Sequence, residues 1–344
     1  MLNLKTGLTK NPRLDPLVDG TVRLNNIHLE CVVTSPPELF YRNLQYDEFD
    51  LFEMSLSEYI MSRERGEGGR WQWSALPVFP AKAVLWLDLF VNTNAGVERL
   101  DDLKGKRVGV PDYVMTAALW FRIFLKELCG IKPHDISWHI GRTKQFSHTA
   151  LLGLDEKFAP GVSMQWLNEE QTFDVMLDRG ELDAAYGFLP RHDPKIQIFG
   201  GLDRYGGTRI EGNPRLRRLF SEGGRKIIHD YYQKTHVLPA SHVIVVQNRI
   251  LDQYPWVALE LYDAFGKAKQ VAYERTRQAR SVYLAFEGDD DRRQAAAFGE
   301  DPYPFGVENN RKMLEILFRN SYEDGLTRKP ARIEDVFYRT TLDT

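Results

Sequence analysis

Arg107-Val108-Gly109-Val110-Pro111-Asp112-Tyr113, running on into Val114-Met115-Thr116-Ala117-Ala118-Leu119-Trp120, is the stretch that decides the fold. Residues 107–110 have the length and apolarity of a buried strand, and Pro111-Asp112-Tyr113 punctuates it. Beyond Val114, Met115, Leu119, Phe121, Ile123, Phe124, Leu125 and Leu128 keep helical spacing, and Gly130 stands just past the end, where a left-handed cap is wanted. A strand that runs directly into a helix is the unit of an open α/β sheet, where ligands gather at the carboxyl ends of strands.

The same pattern extends in both directions. Residues 21–35 alternate in part and stop at Pro36-Pro37, which predicts a strand entering a helix near residues 39–42. Residues 49–54 predict a second strand, and Ser55 to Glu58 opens a helix with Ser at the cap and Glu in its first turn. Residues 75–92 are apolar but broken by Pro77 and Pro80, so they are expected to be extended. Beyond the central unit, residues 136–140 and 182–188 predict strands and 173–177 a short helix. Residues 200–224 predict a surface excursion and 227–232 a helix, and 237–248 a strand that returns the chain to its first part. Residues 256–273 and 309–318 predict helices separated by a charged, turn-rich stretch, 287–305. The polar shift over residues 92–106 predicts a crossing between two units: lobe I from residues 1–98 and 244–344, lobe II from 99–243.

Composition narrows the function. A chain of 344 residues exceeds a common single domain of roughly 100–150. Its 45 Lys and Arg against 48 Asp and Glu leave a net charge of −3, which cannot drive counterion release, so no nucleic-acid partner is expected. Lys82 and Asp88 interrupt the apolar stretch of residues 71–91, short of the roughly 20 residues that span a bilayer, so no membrane partner is expected either. Residues 1–16 carry Lys5, Lys10, Arg13 and Asp15 without an apolar core, which points to the cytoplasm. Cys31 and Cys129 form no C-x-x-C pair. His134, His139 and His148 make no H-E-x-x-H, and neither a dinucleotide nor a P-loop fingerprint is present. No cofactor and no metal ligands are assigned, although eight His and many carboxylates leave room for a divalent metal.

Five strings in order resemble the 4,5-dihydroxyphthalate decarboxylase family. They are Leu76-Pro77-Val78-Phe79-Pro80, Thr116-Ala117-Ala118-Leu119-Trp120, Leu238-Pro239-Ala240-Ser241-His242-Val243, Tyr254-Pro255-Trp256-Val257-Ala258, and Asp301-Pro302-Tyr303-Pro304-Phe305-Gly306 with Tyr322-Glu323-Asp324-Gly325-Leu326. The resemblance spans residues 76–326 and implies a two-lobed type II periplasmic-binding-protein-like α/β fold with an interlobe cleft for a small anion. It also implies a carboxy-lyase that protonates a ring carbon of a hydroxylated aromatic carboxylate and releases carbon dioxide. A small aromatic carboxylate is then the partner, with homo-oligomerisation left open. Lys82 is followed by Ala83-Val84-Leu85-Trp86-Leu87, where the decarboxylases carry more basic and polar residues, and this departure favours a less charged aromatic acid. Two other readings of the fold are a non-catalytic receptor for organic anions and a thiamine-pyrimidine synthase. The second relies on a cysteine cluster that two distant cysteines do not supply.

Decarboxylation of this kind needs a proton donor and a group that accepts or stabilises a phenolic oxygen. His242, within the apolar return strand, is the first candidate acid, and Glu53 and Asp112 are candidate acceptors of a phenolic proton. Ser55, Ser57 and Thr116 sit at two helix starts, where they either receive a carboxylate or simply cap. Arg142 and Arg191 follow strand candidates and could clamp a carboxylate. Lys82 and His236 are further binding candidates, and Trp86 and Tyr113 could stack on a ring or belong to the core.

Overall fold

The computed structural model describes residues 1–66, 69–82, 84–154, 161–168, 170–186, 210, 212–220, 224–280 and 286–344. Its strands are β1 (Leu2–Thr9), β2 (Ile27–Thr34), β3 (Leu51–Ser55), β4 (Trp73–Leu76), β5 (Phe90–Asn92), β6 (Arg107–Val110), β7 (Ser137–Ile140), β8 (Ser163–Trp166), β9 (Ala184–Ala185), β10 (Leu216–Arg218) and β11 (His242–Gln247). They form two sheets, ordered β2-β1-β3-β11-β4 and β10-β5-β9-β6-β7-β8. β1, β2 and β3 run parallel, and so do β9, β6, β7 and β8. Each sheet also takes in one antiparallel strand from a crossing segment: β5 against β9 in the second sheet, and β11 between β3 and β4 in the first.

The central unit forms as its sequence predicts. β6 leads into the helix Thr116–Cys129, and Gly130 (φ 68°) closes it with Gly130 N donating to Lys126 O and Ile131 N to Leu125 O. Gly109 in β6 is needed for close approach: a Cβ there would stand 2.7 Å from Phe173 Cε1 and 2.9 Å from Ala185 Cβ.

Five features differ from the sequence reading, the first being that Leu216–Arg218, inside the expected surface excursion, is strand β10 paired with β5. Leu2–Thr9 is a strand at the middle of the first sheet. The Glu287–Phe298 segment is a helix and not a turn-rich separator, because Arg293 pairs with Asp289 one turn away and Gly299 ends it. Phe90–Asn92 already pairs in the second sheet, so the first crossing lies between Leu76 and Phe90 and not at residue 98. The polar shift over residues 92–106 is the loop after the crossing strand. The return is complete by His242, where β11 begins, so a boundary at 243/244 falls inside that strand.

Between the sheets the polar contacts are buried. Trp120 Nε1 donates to Ala240 O at 2.9 Å, and Arg122 Nε meets Asp324 Oδ2 at 2.6 Å with both side chains almost fully covered. No helix among the described residues is long and apolar enough to cross a membrane.

Adding one methyl at Gly109 tests how tightly the second sheet is packed. Gly109→Ala should lower unfolding free energy by about 1–3 kcal/mol through overpacking, read from the urea midpoint at unchanged slope. An unchanged midpoint would show that Phe173 yields freely.

Candidate active site

β3 and β11 run in opposite directions with His242 opposite Ser55 and Ile244 opposite Glu53. Since alternate residues share a face, this register puts Glu53, Ser55 and His242 on one side of the sheet, where the parallel strands end. Glu53 Oε1 lies 2.6 Å from His242 Nδ1, and Glu53 Oε2 accepts from Thr9 N (3.0 Å) and Thr9 Oγ1 (2.6 Å) at the end of β1. The carboxylate is wholly buried, while the imidazole remains 14% exposed. Burial alone pushes the Glu53 carboxyl up. The hydrogen bond and charge of His242, together with the two Thr9 bonds, outweigh it and hold the carboxyl below its ordinary value.

A carboxylate at Nδ1 orients the ring and fixes the hydrogen on that nitrogen, which leaves Nε2 to exchange a proton with a ligand. Phe40 meets the ring edge-on at a centroid distance of 4.9 Å and shields one side of it.

Ser55, Ser57 and Thr116, read from sequence as two separate helix starts, come together and bind one another. Ser55 Oγ is 2.9 Å and Ser57 Oγ 3.1 Å from Thr116 Oγ1, which also accepts from Ser57 N at 2.9 Å. Ser57 Oγ donates to Val114 O. Ser55 stands at the N-cap position of the helix Leu56–Arg65, yet its side chain makes no cap bond there. The cluster thus ties the start of the Thr116–Cys129 helix to the end of β3.

Asp112 is buried at the end of β6. Its Oδ2 accepts from His148 N (2.7 Å) and approaches Arg142 Nη1 at 3.5 Å, while Oδ1 accepts from Thr149 N (3.2 Å) and Thr149 Oγ1. These donors commit Asp112 to holding the turn after β7, and of the two candidate acceptors Glu53 is the one that faces an imidazole. Arg142 is buried beside it, a guanidinium at the carboxyl end of β7. Tyr113 packs under the Arg122 guanidinium (3.9 Å) and edge-on to Trp138 (5.8 Å), and Trp86 is buried against Phe121 and Phe124, so both rings belong to the core.

Lys82 and His236 line a cavity of about 90 Å³ with Asp301 and Asn310. Lys82 Nζ donates to Asn310 Oδ1 at 2.6 Å. Burial, helped by Lys269 and Arg13 and opposed by Asp301, pushes its amine down to about 7. His236 is exposed, with a left-handed backbone (φ 55°) after the helix Arg225–Thr235. Lys82 adjoins the first pair through the backbone, since Ala81 O accepts from Ser241 N and His242 N. Arg191 lies outside the described residues.

Sequence reasoning missed Thr9, Phe40, Glu58 and His148 as parts of this region. His148 Nδ1 is 3.0 Å from Glu58 Oε2, joining the turn after β7 to the helix after β3. The capping pattern of Ser55 and Glu58 was a visible signal, but its helical reading concealed the carboxylate's partner. Among the described residues, no three His, Cys, Asp or Glu gather so as to hold a metal ion.

Two α/β sheets exchanging antiparallel crossing strands around a polar seam are the periplasmic-binding-protein fold. The chain is similar over 98% of its length to the aliphatic sulphonate binding protein SsuA of Escherichia coli, covering 92% of it (TM-score 0.53, 15% identity). It is also similar over 99% to a ligand-binding component of an ABC-type import system from Staphylococcus aureus, covering 98% of that chain (TM-score 0.54, 14% identity). Likeness at this identity shows the fold alone. No family model matches the chain. It is 29% identical over 345 residues to a 4,5-dihydroxyphthalate decarboxylase of Comamonas testosteroni, across 100% of this chain and 98% of the relative. It is 34% identical over 186 residues to that of Pseudomonas putida, across 54% of this chain and 70% of the relative. The chain belongs to the 4,5-dihydroxyphthalate decarboxylase family and is a carbon–carbon lyase.

The lowered Glu53 carboxyl makes a prediction about stability. A depressed folded-state value contributes stability above the unfolded carboxylate range, and the contribution is lost as pH falls through the folded value. Glu53→Gln should therefore unfold more easily than the parent at pH 7, and the gap between their urea midpoints should close in acid. A gap that widens as pH falls would contradict the ionised pair.

Proposed function

We propose that the protein decarboxylates a hydroxylated aromatic carboxylate of the 4,5-dihydroxyphthalate type, bound between the lobes, with His242 delivering the proton. The Glu53–His242 pair carries this reading: a buried carboxylate holds Nδ1 of an imidazole whose edge still meets solvent. Proton transfer from Nε2 to the ring carbon bearing the carboxylate interrupts aromaticity, and a ring hydroxyl para to that carbon supplies the electron pair. As the carbon–carbon bond breaks, its electrons return to the ring and carbon dioxide leaves. Glu53 keeps the ring oriented through both protonation states, as a general acid requires. The names of the two relatives support this substrate class.

Arg142 and Lys82 are the cations proposed to meet the substrate's carboxylates; Ser55, Ser57 and Thr116 are proposed to fix the wall between them. A cation matched to each carboxylate is compatible with a dicarboxylic substrate despite the apolar residues after Lys82. We assign no cofactor, because acid–base chemistry suffices for ring protonation, and no nucleic-acid partner, because charge is balanced. A cytoplasmic location is supported by Cys31 and Cys129, both free thiols that burial raises, Cys129 to about 11.

The test is carbon dioxide release from hydroxylated benzoates and phthalates, with and without chelator. Release is expected from 4,5-dihydroxyphthalate and unchanged by chelator, whereas ligand stabilisation without release would favour a receptor. His242→Asn should lower kcat by ~10²-fold or more with KM within tenfold. An equal loss in affinity would make His242 a binding group.

Lys82 offers a separate handle. Its ammonium is lost as pH rises through about 7, so KM for the anionic substrate should climb over that range. Lys82→Met should raise KM at pH 6 and flatten the climb; a profile unchanged by the substitution would exclude Lys82 from binding.

A further inference from the structure

A second imidazole–carboxylate pair lies beside the first. His148 is completely buried and Glu58 almost so, and they meet at 3.0 Å through His148 Nδ1. The remaining polar atoms of both groups, His148 Nε2 and Glu58 Oε1, have no hydrogen-bond partner among the described residues. Leaving such atoms unpaired in a buried interior is costly, and a ligand group that bonded to them would remove that cost. Tyr41 stacks on the His148 ring at 6.4 Å. Phe40 is the common neighbour of both imidazoles, 6.5 Å from His148 and 4.9 Å from His242 between ring centroids. Phe40 thus stands between the two pairs as the side chain both imidazoles touch.

Glu58 at Nδ1 fixes the hydrogen there and leaves a lone pair on Nε2, so this nitrogen suits a donor and not a carboxylate. The donor on a hydroxylated aromatic acid is its phenolic hydroxyl. We propose that His148, oriented by Glu58, is a second catalytic group of the site, whose Nε2 takes the proton of the ring hydroxyl para to the departing carboxylate. The proposal rests on the decarboxylase reading above. As the O–H bond breaks, its electron pair forms a carbon–oxygen double bond and the displaced ring pair takes the proton from His242 Nε2 at the carboxylate-bearing carbon. Loss of carbon dioxide returns a pair to the ring, which restores aromaticity and the phenolate. His148 then returns its proton to the phenolate, and His242 is reprotonated by solvent.

The test separates hydroxyl from carboxylate recognition. Titration calorimetry compares phthalate, which lacks hydroxyls, with 3,4-dihydroxybenzoate for the parent and His148→Asn, alongside turnover of 4,5-dihydroxyphthalate. The substitution should weaken 3,4-dihydroxybenzoate about tenfold or more, leave phthalate within threefold and lower kcat about a hundredfold. Glu58→Gln should reproduce the effect in smaller measure. In the parent protein, ¹⁵N-histidine spectra should show the His148 Nε2 resonance moving with 3,4-dihydroxybenzoate but not with phthalate, a readout independent of whether a variant folds. Equal weakening of both ligands, no change in either, or an unmoved Nε2 resonance would overturn the proposal. A parent protein that binds 3,4-dihydroxybenzoate and shifts Nε2 but releases no carbon dioxide would overturn the decarboxylase reading alone.

Discussion

A carboxylate in the middle of β3 is buried without access to water and must be paired within the protein. Glu53 finds its partners in Thr9 from β1 and His242 from β11, so one side chain joins three strands of the first sheet. This pairing depends on β11 entering the sheet antiparallel to β3 in the observed register. A slip of one residue would turn His242 to the opposite face and leave Glu53 with Thr9 alone. Removing one partner of such a buried pair typically costs about 3–5 kcal/mol, which makes the return of the chain from the second sheet and the formation of the site one event.

The second sheet is locked to this edge by other buried polar contacts. The Ser55, Ser57 and Thr116 hydroxyls, the Trp120 bond to Ala240 O and the Arg122–Asp324 pair all connect the central helix Thr116–Cys129 to parts of the first lobe. Their polar groups bond one another, which fixes spacing between lobes but commits those hydroxyls.

Much of this was legible in sequence. The strand and helix from Arg107 to Cys129 follow from local apolar spacing and a glycine stop, and the two-lobed fold follows from the ordered strings and the return strand. Glu53 and His242 could each be singled out, but their pairing across 189 positions depends on strand register. Leu2, Leu4 and Leu8 carried a period of two that marks β1, interrupted by Thr6. The Glu287–Phe298 helix lacks an apolar stripe and owes its form to charge pairing and a terminal glycine. His148 sits in a four-residue helix whose partner, Glu58, is 90 positions away, so no local pattern could have revealed it.

The central claim is that chemistry occurs at the free edge of His242, and a structure with bound 3,4-dihydroxybenzoate tests it most directly. The account predicts an aromatic ring between the lobes beside Phe40, with the hydrogen-bearing ring carbon para to a hydroxyl about 3–3.5 Å from His242 Nε2, in near-attack geometry. A ring bound instead in the separate groove lined by Arg13, Tyr273 and Tyr303, with His242 untouched, would contradict it.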